Sequence, residues 1–535
     1  MKLIDQHTKK IMEECKSRAR DAGLSFDKES LEYIVTNQDM LELSPKGMIP
    51  TMYDYWVNDL ETLKGKGQYK LYPNNPYETV INTRPAISFY NDNNPDWMNI
   101  MIFYHVIGHI DFFQNNLLFK NTWHDDFAGQ ALADKRLIGQ LRSKHNRWVD
   151  YVIEFSRSID NLVSYFDKLQ HSEFPTAMNP GTKLEYYFDI FLHEELKGAI
   201  KYYFDELERY NELAKQNEVV AEQIFFSDVK RRFPEFETRY EKYMEKEKDH
   251  KYDLMEYIRD NSPFLKKQEN EWMKSIMNIV RNTSLYFAPQ IRTKICNEGW
   301  ASYWHDELFK KDERIRGHEV AYARLNAGVT SIQRVGLNPY AIGLRLVEYI
   351  EELANKGKLD WRFQKLLNAE DRENFDKKTG KGREVIFKIR ENFSDFMLIN
   401  TFVDQDFIDK HNLFVVGKRL NKQRGTYEYY VKSRKAEDYK QMLLDSLYHP
   451  PYIEIVEERT NDEGLFIRHL FEGKQLYKDF IGETLMGISY LWGGQVTLET
   501  TDIIPKKNPA AGEDKFEYRK VLYIIKDMKI SKKNL

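Results

Sequence analysis

The sequence predicts a mainly α N-terminal domain over residues 1–380, built around a helical metal site, and a smaller α+β domain over 381–535. Three observations carry this prediction. Helical spacing dominates as far as about residue 356, in runs such as LVSYFDKL and IKYYFDELERY. A polar, Gly/Lys-rich segment, LNAEDRENFDKKTGKGRE (367–384), then breaks the pattern and reads as a linker. Beyond it come short β-rich runs: YEYYVK, YIEIVEE, GLFIRHLFE, QVTLETT and YRKVLYIIK. Two helical runs, KAEDYKQMLLDSLY and KQLYKDFIGETLMGISYLW, lie between them. The order β-α-β-β-α-β predicts a split-βαβ sandwich with one extra strand.

A chain of 535 residues exceeds what one ordinary core encloses, so at least two domains are expected. With 41% apolar and 31% charged residues it has the balance of a globular protein, which excludes a disordered chain. Net charge is −4 with both signs interspersed, so no basic stripe marks nucleic acid as an expected partner. Cys15 and Cys296 are too few for a disulfide framework, and a reduced, cytoplasmic setting is expected. MKLIDQHTKKIMEECKSRAR reads as a charged amphipathic helix, not a signal peptide. No uncharged apolar run reaches the length of a transmembrane span.

Residues 1–45 read as helical, and prolines and Asn-rich turns break the stretch from Pro45 to Pro95. Asp96 is placed to cap a helix over Trp97–Asn115. Residues 131–260 read as long charged helices, ETRYEKYMEKEKDHKYD being a solvated face. A helical block over 264–311 is interrupted near Pro289, and further helices over 315–356 flank GLNPYAIG.

The first of these helices carries the chemistry. In WMNIMIFYHVIGHIDFFQNN, His105 and His109 stand four residues apart, about 40° apart in direction, and can clasp one ion. Ile102, Phe103, Val106, Ile107, Ile110, Phe112 and Phe113 surround them, so the helix is apolar on nearly every side and buried. Buried imidazoles need partners. Two core histidines hydrogen-bonded to protein would also satisfy that need. A second element shifts the balance: KICNEGWASYWHDEL sets Glu298 in an apolar-aromatic helical stretch, with His305 two turns along the same face. A buried carboxylate wants a cation. As a third ligand, Glu298 would complete a His-His-Glu zinc set with one position open.

His109, Glu298 and His305 fall within blocks that resemble the SpoVR family, and His105 lies three residues before one of them. The blocks are YETVINTRPAISFY, GHIDFFQNN, IVRNTSLYFAPQIRTKICNEGWASYWH, NPYAIG and LYKDFIGETLMGISYLWGGQVTLET. They occur in family order over most of the chain. The resemblance implies a process in sporulation, formation of the spore cortex, or the cell envelope more broadly. It also implies association with a PrkA-type serine kinase and a von Willebrand A-like protein. No reaction comes with it. A remoter resemblance, HxxxGH followed by EGWAxY, is to gluzincin zinc metallopeptidases. It implies His105, His109 and Glu298 as zinc ligands, one ion per chain, and a gluzincin-like helical site. The general-base Glu of those peptidases is replaced by Val106, so proton transfer would need another group.

Glu78 could enter from the preceding segment as that base, or simply pair with Arg84. His305 could serve as acid, base or fourth ligand, and Asp111 as a partner to the ligands or a cap. Tyr303 and Tyr286 are weaker oxyanion donors, better read as core. His124, His193 and His318 lie in charged contexts and read as surface or local structure, and Cys296 as a buried thiol. Two functions compete: a zinc-dependent hydrolase of peptide or amide bonds, with a peptidoglycan precursor among the expected substrates and an altered base; and a non-catalytic, metal-stabilised regulator or scaffold acting with the kinase. A non-haem iron triad ranks below both, because it usually sits on a β-barrel.

Overall fold

The computed structural model describes residues 2–36, 78–163, 183–192 and 218–535, with scattered positions between 206 and 213. Short gaps fall at 28, 123–126, 248–252, 361–362, 364, 367, 422–424, 448–449, 472 and 507–515. The N-terminal and middle regions are mainly helical, and a mixed β-sheet forms the C-terminal region.

Residues 1–45 are not all helical. β1 (Lys2–Leu3) leads into α1 (Gln6–Asp21), capped by Asp5, whose carboxylate accepts from the Thr8 amide at 2.8 Å. β2 (Ser30–Val35) follows, where helix was expected. The segment SLEYIV alternates burial, and its Glu32 turns inward to meet Lys16 at 3.0 Å, so period two wins over helix propensity. With β3 (Glu78–Ile81) and β4 (Ala86–Asn91) it forms a four-stranded sheet of order β1-β2-β4-β3, in which only β2 and β4 run parallel.

α2 (Asp96–Asn115) starts one residue earlier than expected, with Pro95 at the cap and Asp96 in its first turn. Every residue from Asn99 to Phe113 is buried, as an apolar circumference requires. Further along come α3 (Trp148–Arg157), α4 (Glu271–Arg292), α5 (Lys294–Phe309), α6 (Glu319–Val329) and α7 (Pro339–Asn355). α4 runs through Pro289, and the break falls at Thr293, whose hydroxyl donates to the Pro289 carbonyl at 2.8 Å.

The helices around the site meet at glycines. A Cβ on Gly108 of α2 would lie 2.8 Å from the Ala301 Cα of α5. One on Gly299 of α5 would lie 2.3 Å from the Gly343 carbonyl carbon of α7. α5 therefore touches α2 and α7 backbone to backbone, which fixes its rotation about its own axis. Asp395, at the start of α9 (Asp395–Phe402), caps α5 by accepting from the Ile295 and Cys296 amides at 2.9 and 2.8 Å.

The segment read as a linker is pinned. The Gly382 amide donates to Asn355 Oδ1 at 2.8 Å, and α8 (Gly382–Asn392) follows at once. Phe387 packs on Trp300 and Trp304, so the first core continues beyond residue 380. Ile386 and Ile389, just past the Gly/Lys-rich segment, are buried in it.

All five β-rich runs are strands, but they do not share one sheet. β5 (Val415–Asn421) and β6 (Thr426–Ser433), which holds YEYYVK, form a separate hairpin, and α10 (Ala436–Ser446) joins the first core. The expected split-βαβ order therefore loses its first strand. The main sheet has order β11-β10-β9-β8-β7, built from β7 (Ile453–Ile455), β8 (Gly464–His469), β9 (Gln495–Pro505), β10 (Phe516–Lys526) and β11 (Lys529–Asn534). α11 (Lys478–Trp492) connects the parallel neighbours β8 and β9. This sheet and α11 share a second core with α3, α4 and the helix Leu254–Asn261. Among the described residues no helix is long and apolar enough to cross a membrane.

Candidate metal centre

α2 presents His105 and His109 to α5, which presents Glu298. The Nε2 atoms of His105 and His109 lie 3.1 Å apart, and Glu298 Oε2 lies 3.6 and 3.5 Å from them. A tetrahedral zinc ion with bonds of ~2.0–2.1 Å would set its ligand atoms roughly 3.3–3.4 Å apart. The triangle thus has the edge lengths of a zinc site. Among the described residues these three form the one group of His, Cys, Asp and Glu side chains able to hold a metal ion.

Glu298 Oε2 is buried without a hydrogen-bond partner, a costly condition for a carboxylate oxygen. Burial pushes the Glu298 carboxyl up, but His105, His109 and the Tyr340 hydroxyl beside it outweigh burial and hold it below its usual range. The site therefore holds a buried carboxylate with one oxygen that a cation would satisfy. The outer ring nitrogens are occupied: His109 Nδ1 meets Asn297 Oδ1 at 2.9 Å, and His105 Nδ1 meets His305 Nδ1 at 3.0 Å. Burial, and then the charge of His105, push the His305 imidazole down to about 3, so it is neutral. Its Nε2 meets Asn326 Oδ1 at 3.0 Å. His305 stands behind His105, with both nitrogens engaged away from the triangle.

The other expected residues disperse. Glu78 opens β3, opposite Tyr90, and its side chain lies outside the described residues. Val106 is wholly buried. Tyr303 donates to Glu351 at 2.6 Å and Tyr286 to the Asn82 carbonyl, so both hydroxyls serve the fold. Asp111 accepts from the Ser25 amide at 2.7 Å and from Trp300 Nε1 at 2.8 Å, tying three segments together. Cys296 is buried, its thiol pushed well above the usual range by burial and by Asp395. His318 stacks on Trp97 at 5.6 Å, while His124 and His193 lie outside the described residues.

Sequence reasoning missed Tyr340, whose ring lies 6.0 Å from that of His105. The signal was in NPYAIG. Asn338 caps α7 and Pro339 starts it, placing Tyr340 in its first turn, while Gly343 one turn on presses against Gly299.

Among curated proteins the chain is similar to the uncharacterized protein YcgB of Escherichia coli (strain K12). The two are 23% identical over 493 residues, covering 87% of this chain and 86% of YcgB. No solved structure matches. The description "SpoVR like protein" matches residues 4–449, which include every residue of the triangle and its partners, and the chain belongs to that family.

Proposed function

We propose that this chain is a zinc-dependent hydrolase of peptide or amide bonds, with His105, His109 and Glu298 as the zinc ligands. The observation that carries the reading is a buried triangle of zinc-site dimensions with an orphaned carboxylate oxygen at one corner. Three protein ligands with one position left over is the donor set of catalytic rather than structural zinc. His305 is engaged elsewhere, so it does not close the shell. The HxxxGH and EGWA layout shared with gluzincin peptidases supports the same reading.

A zinc ion held there supplies Lewis-acid activation of a carbonyl group and of water. The protein's own groups supply the rest. Tyr340, beside Glu298, is placed to steady the carboxylate with its hydroxyl. Val106 cannot take a proton, so the base lies elsewhere, and Glu78, on a strand packed against α2, is the carboxylate to test.

A second reading is favoured by depth. His105 and His109 are only 5% and 6% exposed, as suits a metal-stabilised regulator working with a PrkA-type serine kinase and a von Willebrand A-like protein. Elemental analysis is the first test. About one zinc per chain, lost in His105→Ala and Glu298→Ala, is expected. Hydrolysis of peptide or amide libraries by the zinc-loaded protein, abolished in Glu78→Gln, would support the enzyme. Tight zinc without turnover would support the regulator. Wild-type protein without metal would sink both.

A further inference from the structure

We infer that Asp306, Asn326 and His305 form a one-way hydrogen-bond chain that holds His105 in the tautomer whose Nε2 lone pair faces the ion. The inference rests on the metal-centre reading and deepens it. None of the three residues is a ligand, and two of them, Asp306 and Asn326, carried no signal in the sequence.

The direction follows from what each group can give. Asp306 accepts from the Tyr322 hydroxyl at 2.5 Å and from the Lys310 ammonium at 2.5 Å, so it is a carboxylate with no proton to donate. The Asn326 carboxamide must therefore turn its NH2 towards Asp306, at 3.3 Å. That leaves the carboxamide oxygen facing His305 Nε2 at 3.0 Å. An amide oxygen only accepts, so the proton of His305 sits on Nε2. With its proton on Nε2, His305 offers the lone pair of Nδ1 to the neighbouring imidazole. That nitrogen lies 3.0 Å from His105 Nδ1, which must then be the donor. The proton of His105 is thereby committed to its outer face, and its Nε2 is bare towards His109 and Glu298.

Without the chain, His105 could carry its proton on Nε2, aimed at the place the ion takes. The chain also ends on a full charge, which polarises each donor and strengthens the ligand nitrogen. The outer nitrogen of His109, Nδ1, meets Asn297 Oδ1 of α5 directly. His305 and Asp306 are neighbours on α5, the helix that supplies Glu298, while Asn326 comes from α6. One helix thus brings a ligand and the group that sets another ligand's tautomer. His305 is a positioning residue, acting through His105.

The test measures zinc affinity by competition with a chromogenic chelator, in full-length protein checked for folding without metal. His305→Leu should weaken binding roughly 10–100-fold, the range for losing such a partner. His305→Asn, whose carboxamide oxygen can take the place of Nδ1, should recover most of that loss. Asn326→Leu, further from the ion, should give a smaller loss and carries the test if His305→Leu fails to fold. In metal-free protein labelled with 15N at histidine, His105 should show its proton on Nδ1, moving towards Nε2 in His305→Leu. Wild-type affinity in both leucine variants would overturn the chain, and so would equal loss in His305→Asn and His305→Leu. Glu298→Ala separates the two claims: if it still binds zinc like wild type, the metal centre itself is wrong.

Discussion

α2 and α5 carry two buried polar clusters, two positions apart along each helix, and the clusters are opposites. In one, the Asp111 carboxylate accepts from the Ser25 amide and the Trp300 indole, with the Arg390 guanidinium 3.5 Å away. The carboxylate oxygens meet donors, so this acceptor is satisfied within the chain. In the other, two imidazole nitrogens and a carboxylate oxygen converge, and Glu298 Oε2 finds no hydrogen-bond partner. Burial penalises both carboxylates, yet only the second needs something the protein does not contain. A closed polar cluster builds the fold, whereas one with an orphaned acceptor is a place for a cation.

The largest test of this contrast is Asp111→Ala. It leaves Arg390, Trp300 and the Ser25 amide without their shared acceptor, and should cost about 3–5 kcal/mol in denaturant unfolding. Zinc content should be unchanged. The cluster should also show in the pH profile. Burial, working against Arg390, pushes Asp111 up to about 6 from an ordinary 3.8, so the fold holds its proton more tightly than the unfolded chain does. Its contribution to stability is then lost as pH rises from about 4 to about 6. Asp111→Asn should gain on wild type across that window, and a flat difference would remove Asp111 as the cause.

The metal centre should respond to ligand instead. Stripping zinc from protein held at about 100 Kd should remove about 2.7 kcal/mol of stability. Glu298→Ala should be indifferent to the chelator. A smaller effect comes from the packing that aims Glu298: Gly299→Ala drives a methyl into the Gly343 backbone and should cost about 1–3 kcal/mol while weakening zinc binding. The smallest effect reverses sign. In metal-free protein at pH ~8, where imidazoles are neutral, Glu298→Gln supplies donors to the two histidines. It should be about 1 kcal/mol more stable than metal-free wild type. A loss there, comparable to Asp111→Ala, would mean that the triangle is as self-sufficient as its neighbour.

Much of this was legible before folding. The all-apolar circumference of WMNIMIFYHVIGHIDFFQNN marked a buried helix, and the four-residue spacing put His105 and His109 on one face. The C-terminal strands were legible from alternation, but their partners were not. YEYYVK reads like any other strand, yet among the described residues β6 pairs with β5 alone, because strand pairing depends on contacts that period two does not encode. The linker misled for a related reason, since composition hides which face of α8 is buried.

What the sequence by itself determined is local: helix periodicity, the paired histidines, and the acidic residue within EGWA. Only the tertiary structure decided that Glu298, 189 positions beyond His109, faces the histidines, that His305 stands behind His105, and that Tyr340 lies beside them. The physical reason lies in Gly108 against Ala301 and Gly299 against Gly343. Missing side chains let three helices touch at the backbone, and that contact sets the rotation of each. A turn of α5 by one residue, about 100°, would carry Glu298 away from the histidines with every local preference still satisfied.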